Sequence, residues 1–364
     1  ATTGKAGLLE DEPRFDYSGG ATCPSLLLEP SRTNLIKQSE YYEGSDWSSQ
    51  QTLETLENVT NPEGTTTTYK VCANASNSNH YLERAPYTGA TSGVDYVFSF
   101  FAKAEDSDFV QVATSTGFAA KYQNFNLSNG TFGNGDANAF GYTSTIEAVG
   151  TNGWYRISMK ATTTSANARF LIVPVLSDVS ARNPIFLGDG TTGFYMWGAQ
   201  LEEGSYPTSY IPNHSGGTIT RGGESATGGN DIYGGVSEGA FFFEFQKTIG
   251  DESQTAINLS NNGAEQIRLH FDGGNSARFR DSLNGFATIG GGFDAFTSAV
   301  KVVLNINGST AKLYLNGAQL GSDYTITTAH IFKDLVFSDK GFIVKQHLFF
   351  STPLSDADCI TLTT

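Results

Sequence analysis

The chain contains few of the residues on which several classes of function depend. It has only 3 cysteines and 5 histidines among 364 residues. With no Cys-x-x-Cys pair and no histidine cluster, it offers neither a disulfide framework nor a zinc site. Lysine and arginine total 22 against 37 acidic residues, which gives a formal net charge of −15. Nucleic acids and anionic membranes attract basic surfaces, and no apolar run approaches the length of a membrane span, so we expect no nucleic-acid partner and no membrane insertion.

Motifs typical of enzymes are also missing. There is no Gly-x-Ser-x-Gly elbow, and Gly290–Gly292 lacks the Lys-Ser/Thr partner of a phosphate loop. A glycosidase needs two carboxyl groups in one cleft, whereas the adjacent Glu202 and Glu203 would point to opposite faces of a strand. Asp356 and Asp358 alternate suitably for a strand, but they lie in a predicted capped helix. We therefore expect no catalytic residues and no enzymatic activity.

The residues that are abundant indicate β-structure. The chain has 41 glycines, and aromatic residues make up 12% of it. Aromatic side chains favour strands and glycine favours tight turns. Tyr96–Lys103 and Phe241–Phe245 alternate between two faces, as strands do. We find no convincing long helix. These patterns predict an all-β fold made of two tandem antiparallel β-sandwiches.

The segment Phe194–Leu201 reads as a central strand because both of its faces carry large apolar groups. Its period of two places Phe194 and Met196 on one face, with Gly198, and places Tyr195, Trp197 and Ala199 on the other. Two prolines follow and end the sheet. The strand is therefore predicted to be the last of the first domain. We expect an N-terminal strap packing on that domain over 1–40, the domain itself over 41–212, a Gly-rich linker over 213–235 and a second domain over 236–364.

The same segment carries a resemblance to a known family. Trp197-Gly-Ala-Gln-Leu-Glu, followed by Pro207-Thr-Ser-Tyr-Ile-Pro and Thr220-Arg221, resembles a signature of bacteriophage tail-fibre and virion-fibre proteins that carry carbohydrate-binding-like β-sandwiches. Leu26–Leu35 looks like the matching opening segment, and Gly153–Arg156 looks like a middle strand. The resemblance implies a jelly-roll-like first domain, a place in the virion, a homotrimeric assembly, other virion proteins as partners, and host cell-surface polysaccharide as the ligand.

The second domain resembles a different sandwich. Val300–Ile306 is followed by the run Lys312-Leu-Tyr-Leu-Asn-Gly, which is similar to strands of laminin-G and concanavalin-like lectin domains. A closing helix with Ser355 as N-cap and Asp358 as its partner is common in that family. The resemblance also implies a structural Ca²⁺ held by loop oxygens. Candidate ligands are Asp189 in one loop and Asp251-Glu252 in another, although Asp-Gly in a turn is usually only a turn.

Exposed aromatic rings would carry sugar binding, because a ring face suits the C–H face of a pyranose. The candidates that we assign to this role are Tyr41, Tyr42, Trp47, Tyr87, Tyr233 and Tyr324. The alternative is that the first three are loop aromatics folded onto the edge of the sandwich. Trp154 and Trp197 lie in the densest strand patterns and are assigned to the core.

The sequence thus favours a non-enzymatic phage fibre protein that recognises host surface carbohydrate. Two alternatives stay open. One is a structural virion decoration or fibre module without glycan binding, since both functions need the same sandwich cores. The other is a polysaccharide depolymerase whose carboxylate pair comes from strands distant in the sequence.

Overall fold

Alternating apolar and polar side chains produce strands along almost the whole chain, and the all-β prediction is confirmed. The computed structural model describes residues 15–16, 25–84, 87–224, 226–227, 231–247, 255–272, 276–281, 285–291, 299–337 and 342–364. In these ranges the helical structure consists of α1, Asp356–Thr363, and a 3-10 turn, Asn138–Phe140. No helix within them is both long and apolar enough to span a membrane.

The strands before residue 180 are short, apart from two long ones at the centre of a sheet. They are β1 Phe15–Asp16, β2 Ser25–Leu28, β3 Arg32–Asn34, β4 Trp47–Gln50, β5 Thr52–Glu57, β6 Thr68–Ala73, β7 Asn77–Asn79, β8 Tyr81–Arg84, β9 Asp95–Ala104, β10 Phe109–Thr114, β11 Tyr122–Asn126, β12 Thr131–Gly135, β13 Thr143–Val149, β14 Trp154–Thr162 and β15 Phe170–Pro174.

The later strands include the longest one, which carries the fibre-like signature. They are β16 Ile185–Leu187, β17 Gly193–Glu203, β18 Ile219–Arg221, β19 Ala226–Thr227, β20 Gly239–Lys247, β21 Thr255–Asn261, β22 Ala264–Asp272, β23 Ser276–Asp281, β24 Gly285–Gly291, β25 Val300–Asn307, β26 Thr310–Leu315, β27 Ala318–Gln319, β28 Tyr324–Thr325, β29 Asp334–Phe337 and β30 Phe342–Phe350.

The first compact unit spans Arg32–Arg221. It contains two antiparallel six-stranded sheets, which we call the front sheet, in the order β12-β11-β10-β15-β8-β4, and the back sheet, in the order β13-β14-β9-β17-β6-β5. Their facing sides share one apolar core, to which β9 contributes Phe98 and Phe100 and β17 contributes Phe194 and Met196. Burying such aromatic side chains is the main term that stabilises a sandwich.

The second unit combines Gly222–Thr364 with the described residues before Arg32. An eight-stranded sheet runs in the order β1-β2-β30-β20-β25-β26-β27 with β28 beside β26, and a six-stranded sheet runs in the order β19-β29-β21-β22-β23-β24. Phe241, Phe243 and Phe245 of β20 lie in the core of this unit, as their alternation predicts. Phe242 points the other way and packs with Cys359 of α1.

The closing helix has the predicted cap. Ser355 accepts a hydrogen bond from the backbone N–H of Asp358 at 3.1 Å, and its hydroxyl donates to the Asp358 carboxylate at 2.6 Å. This reciprocal pair satisfies an N–H that the first turn of a helix leaves free.

The segment before Arg32 differs from the strap expected on the first domain. Leu26 and Leu28 of β2 pair with β30, so this strand belongs to a sheet of the second unit. β3 instead pairs with β18, inside the predicted linker, and both strands belong to the first unit. A short apolar strand such as β2 fits any open sheet edge, and its local pattern does not indicate which edge it joins.

Gly198 changes the register of β17. Its φ of 62° lies in the left-handed region, and the pairing with β9 shifts between Trp197 and Gln200. This β-bulge returns Ala199 to the same core as Met196, whereas strict alternation had assigned it to the opposite face.

Replacing Gly198 by alanine should destabilise the first unit by about 2–4 kcal/mol, because left-handed φ and core crowding both act on the added methyl. A Cβ there would lie 2.9 Å from the ring of Phe101. Gly150→Ala is the matched control, since Gly150 has a φ of 65° and no atom within 4 Å of the added Cβ. Urea unfolding of both variants measures the difference. If both variants lost the same free energy of unfolding, crowding against Phe101 would contribute nothing to the effect of Gly198→Ala.

Candidate functional site

The residues of the fibre-like signature pack together on the outer face of the back sheet. We call the contacts between β17 and the segment 207–212, which folds back over it, the clasp. Trp197, Trp154, Phe101 and Tyr210 form a second apolar cluster there, and both tryptophans are buried as predicted. Tyr210 belongs to the segment that follows β17, and its ring centroid lies 4.7 Å from that of Trp197. The exit segment therefore folds back over the sheet.

Buried polar groups fix the clasp. The Glu202 carboxylate accepts hydrogen bonds from the backbone N–H and the hydroxyl of Thr208. Gln200 accepts from the N–H of Ile211 at 2.6 Å, and Arg156 donates to the carbonyl of Thr208 at 2.6 Å. Burial raises the pKa of Glu202, and its hydrogen bonds oppose that rise. These side chains serve the fold of the exit segment and are not available to a ligand.

Asn34, from the opening part of the signature, joins the same network. Its amide nitrogen donates to Ser39 Oγ and to the carbonyl of Ile211, both at 2.8 Å. Its amide oxygen accepts from the N–H groups of Ile36 at 3.1 Å and Leu201 at 3.2 Å. The two parts of the signature thus meet in one buried site.

Three of the aromatic residues assigned to sugar binding are buried instead. Tyr42, Trp47 and Tyr233 are 1%, 6% and 3% exposed. The Tyr42 ring packs edge-on against Trp47, and the Trp47 Nε1–H donates to the carbonyl of Gln38 at 2.8 Å. Tyr233 lies 2.8 Å from His347 Nε2. A sugar cannot stack on a ring whose faces are already covered, so the prediction is wrong for these residues and the loop-aromatic alternative fits Tyr42 and Trp47.

The other three candidates lie in different places. Tyr41 is 48% exposed. Tyr87 is partly buried against the first core, and Tyr324 is partly buried against the second, with its hydroxyl 3.4 Å from Asp281. Tyr41 and Tyr87 belong to the first unit, and Tyr324 belongs to the second.

The calcium candidates gain no support from the described residues. Asp189 accepts hydrogen bonds from the N–H groups of Thr191 and Thr192, both at 2.8 Å, and from the Thr192 hydroxyl at 2.6 Å. These bonds, above all the one from the Thr192 hydroxyl, lower the pKa of Asp189 and show that it stabilises its own turn. Asp251 and Glu252 lie outside the described residues. Within the described ranges no three His, Cys, Asp or Glu side chains group as metal ligands.

The outer face of the front sheet carries a different set of side chains. Register pairs Tyr122 with Ala113, Ala113 with Leu171, Leu171 with Glu83, and Glu83 with Ser48. These residues therefore form one row across five strands. Ala113 and Leu171 are the buried apolar floor, and the half-buried Tyr122 packs against it. Neighbouring strands lie about 4.8 Å apart, so the row is long enough for a short glycan.

Tyr81, Glu83 and Arg169 form a polar cluster at one side of this floor. Arg169 makes a two-pronged salt bridge to Glu83 through Nε and Nη2. The hydrogen bond to Glu83 is the main cause that raises the pKa of Arg169, and Tyr81 contributes to the same rise. Tyr81 also packs against the apolar floor. Paired charges with fixed geometry offer donors and acceptors in defined directions.

The segment 176–184, which follows β15, lies beside the row where it passes over β10 and β11. Asn124 donates to the carbonyls of Asp178 at 3.1 Å and Ser180 at 2.7 Å. Gln111 donates to the carbonyl of Ala181 at 3.0 Å and accepts from the backbone N–H of Asn183 at 2.7 Å. The segment therefore covers the part of the outer face that β10 and β11 form. Ser48 and Gln50 of β4 remain exposed on the other half. We call the surface formed by Tyr81, Glu83, Tyr122, Arg169 and the exposed residues of β4 the front face.

Sequence reasoning missed the front face because it looked for clusters of aromatic residues in loops. The usable signal was the alternation in Tyr81-Leu82-Glu83-Arg84, which puts a tyrosine and a carboxylate on one face of a short strand. The partner Arg169 lies 86 positions further along the chain, and only the sheet order brings it to Glu83.

Comparisons with known proteins assign no family. No protein-family model matches the chain, and no curated protein sequence matches it. Among solved structures, a galectin from Caenorhabditis elegans is 14% identical with a TM-score of 0.29, covering 35% of this chain and 91% of the galectin. A carbohydrate-binding module from Bacillus subtilis is 11% identical with a TM-score of 0.28, covering 37% and 86%. Laminin α1 domains from mouse are 9% identical with a TM-score of 0.25, covering 88% and 94%. Similarity at this level gives no functional argument.

The buried Glu202 makes stability depend on pH. Its folded pKa is raised, so its contribution to stability is fully present below the unfolded pKa of about 4.3 and is lost as pH rises through the folded value. Glu202→Gln removes this titration. The free energy of unfolding of the wild type, minus that of the variant, should therefore increase as pH falls from 7 towards 4.5.

Urea unfolding of both proteins at several pH values measures that difference. Glu147→Gln is the control, because Glu147 lies in the same sheet and is exposed. A difference for Glu202→Gln that stays flat, or that falls as the pH is lowered, would contradict the raised pKa.

Proposed function

We propose that the first unit binds carbohydrate on its front face. The observation that carries this proposal is the row of side chains across the front sheet, in which an apolar floor lies between Tyr122 and the Tyr81–Glu83–Arg169 cluster. A sugar ring has apolar C–H faces and a rim of hydroxyl groups. The partly exposed rings of Tyr81 and Tyr122 suit the faces, and the guanidinium group of Arg169, whose side chain is 24% exposed, suits the hydroxyls.

The chemistry of the front face supports binding better than catalysis. Arg169 donates hydrogen bonds to both oxygens of Glu83, so this carboxylate is already engaged in an ion pair. A glycosidase would need a second carboxyl group within about 5–9.5 Å across a bound sugar. The row itself contains no other acidic residue. We infer a binding protein without enzymatic activity.

We further infer that this binding serves host attachment by a bacteriophage fibre. The support is the sequence signature around Trp197 and its matching opening segment, which the buried clasp brings together through Asn34. In that setting the ligand is a host cell-surface polysaccharide and the protein is part of the virion beside other virion proteins. Assembly as a homotrimer would strengthen weak individual sites through avidity.

A purely structural role in the virion is the second candidate function, and one observation favours it. Leu176, Val179, Ile185 and Leu187 are each between 63% and 69% exposed, and all lie within twelve positions of one another. Apolar side chains gathered in this way are typical of surfaces that contact another protein. Under this reading the first unit packs on a neighbouring subunit and has no glycan affinity.

Tyr81→Ala and Tyr122→Ala should each weaken glycan binding about tenfold, which corresponds to roughly 1.4 kcal/mol of lost ring contact. Leu56→Ala is the matched control: it removes a side chain that is 56% exposed on the back sheet and should leave affinity unchanged. Binding of each folded variant to the recognised polysaccharide measures the effect. If Tyr41→Ala lost polysaccharide binding and Tyr81→Ala kept it, the binding site would lie in the loop that contains Tyr41 and not on the front face.

A panel of bacterial surface polysaccharides and intact cells tests the function itself. We expect bound protein without release of reducing ends. Released reducing ends would contradict the non-enzymatic proposal and favour a depolymerase. If the protein binds no polysaccharide on a panel that includes its host, but associates with itself unless Leu176 and Ile185 are replaced by serine, the structural role would be correct instead.

A further inference from the structure

The short strand β16 presents two apolar side chains to solvent. Ile185 and Leu187 are 67% and 69% exposed, more than any other large apolar residue in the described part of the chain. The half-buried Phe186 between them points to the other face of the strand. Its ring lies 4.6 Å from the ring of His80, which is fully buried. One face of β16 is thus fixed to the first unit, and the other face is open.

The backbone of β16 pairs on one side only. Its partner is β7, and these two strands form a sheet of their own among the described residues. The N–H of Gly188 donates to the carbonyl of Ser76 at 3.2 Å, so the backbone groups of Phe186 face β7 as well. By the alternation of an antiparallel ladder, the N–H and C=O groups of Ile185 and Leu187 face away from β7, where no described strand pairs with them.

The sequence of β16 does not protect this open edge. Sheets usually protect their edges with lysine, proline or a bulge, because unpaired backbone groups invite another strand. Pro184 precedes β16, but its nitrogen lies at a position that faces β7, so the outer edge keeps its donors. The Asn79 side chain donates to the carbonyl of Asn183 at 2.6 Å and holds the start of the strand. An edge that is already ordered loses little conformational entropy on association.

The local charge favours a second copy of the same chain as the partner. The formal net charge of −15 makes two copies repel each other in general. The stretch 176–188 carries only Asp178 and Arg182, whose charges cancel, and β7 carries no charge. Asp189 follows, and its carboxylate accepts hydrogen bonds within its own turn. Two copies can therefore approach through this surface with little of the repulsion that the rest of the chain creates.

We propose that two copies of the chain associate through β16, antiparallel about a two-fold axis. With Phe186 at that axis, Ile185 of each copy lies opposite Leu187 of the other. Each outward N–H of these residues then donates to an outward C=O of the other copy, so the two-stranded sheets of the copies join into one. The exposed side chains of Ile185 and Leu187 meet on one face of the joined sheet and lose contact with water.

The association does not rest on the proposed carbohydrate binding. The front face lies on the front sheet, and β16 belongs to neither six-stranded sheet of the first unit. A two-fold contact also differs from the interface of the proposed homotrimer and would be present in addition to it. Tyr81→Ala, which acts on the front face, should therefore keep the association of the wild type whether or not the protein binds glycans.

Two variants of the edge test the contact. Leu187→Pro removes an N–H that faces outward and leaves the pairing with β7 intact, so it should raise the dissociation constant at least tenfold. Ile185→Lys places a charge of the same sign on both copies at the contact and should weaken it at least as much. Leu56→Lys is the matched control, because Leu56 is 56% exposed on β5, which is also an edge strand.

Analytical ultracentrifugation of the full chain over a range of concentrations measures the association. The expected result is an assembly with an even number of copies that falls to half its mass in both β16 variants, while their melting temperatures stay unchanged. A wild type that is monomeric or trimeric at tens of micromolar would overturn the proposal and leave the edge to a different protein. An association that survives both β16 variants, or that Leu56→Lys abolishes, would overturn it as well.

A pair of cysteine variants tests the register. The antiparallel arrangement brings Ile185 of one copy opposite Leu187 of the other at a Cα separation of about 5.5 Å, which a disulfide can span. In chains that also carry Cys23→Ser, a mixture of Ile185→Cys and Leu187→Cys should form the mixed disulfide on mild oxidation. Each variant alone should form few disulfides. If each variant cross-linked to itself as readily as to the other, the two-fold pairing of β16 would be wrong.

Discussion

The buried amide of Asn34 is the contact on which the first unit depends. It binds the opening segment through Ser39 and Ile36, the central strand β17 through Leu201, and the exit segment through Ile211. Asn34 is fully buried, so each of these hydrogen bonds replaces one that water would otherwise make. Removing the amide would leave backbone groups from three segments unpaired at once. The clasp of Glu202 and Gln200 then extends the same closure over the outer face of the back sheet.

This closure also explains how the first unit fits into the chain. Its first strand β3 and its last strand β18 pair directly, and the register joins Arg32 with Arg221. The two ends of the unit therefore lie side by side. A domain with adjacent ends can be inserted into another chain without distorting its host. Here the host is the second unit, whose strand β2 precedes the insertion and whose strand β19 follows it.

The sequence predicted the parts of the fold that follow from local patterning. Alternation identified β9, β17 and β20, and the Ser355 cap identified α1, because each depends on residues close together in the chain. The partner of β2 and the bulge at Gly198 could not be predicted in the same way. The first depends on which sheet edge is open, and the second depends on one glycine with a left-handed φ, where an added Cβ would collide with the ring of Phe101.

The candidate site was harder to predict for a related physical reason. Tyr42 precedes β4 and Trp47 begins it, in a polar stretch of the chain whose neighbouring residues do not indicate that the core covers these two rings. Glu83 and Arg169 are ordinary charged residues until sheet order makes them neighbours. Aromatic content alone therefore identifies a sandwich, whereas exposure and pairing, which arise from long-range strand order, decide which rings and charges a ligand can reach.

The strand β8 shows how folding and binding are divided within a few residues. Leu82 is buried in the apolar core, and Glu83 is paired with Arg169 on the outer face, so both residues stabilise the sheet. Arg84 does not, because buried donors without partners oppose folding. The Nε atom of Arg182 is buried without a partner as well, so this cost to the stability of the sandwich is not confined to the end of β8.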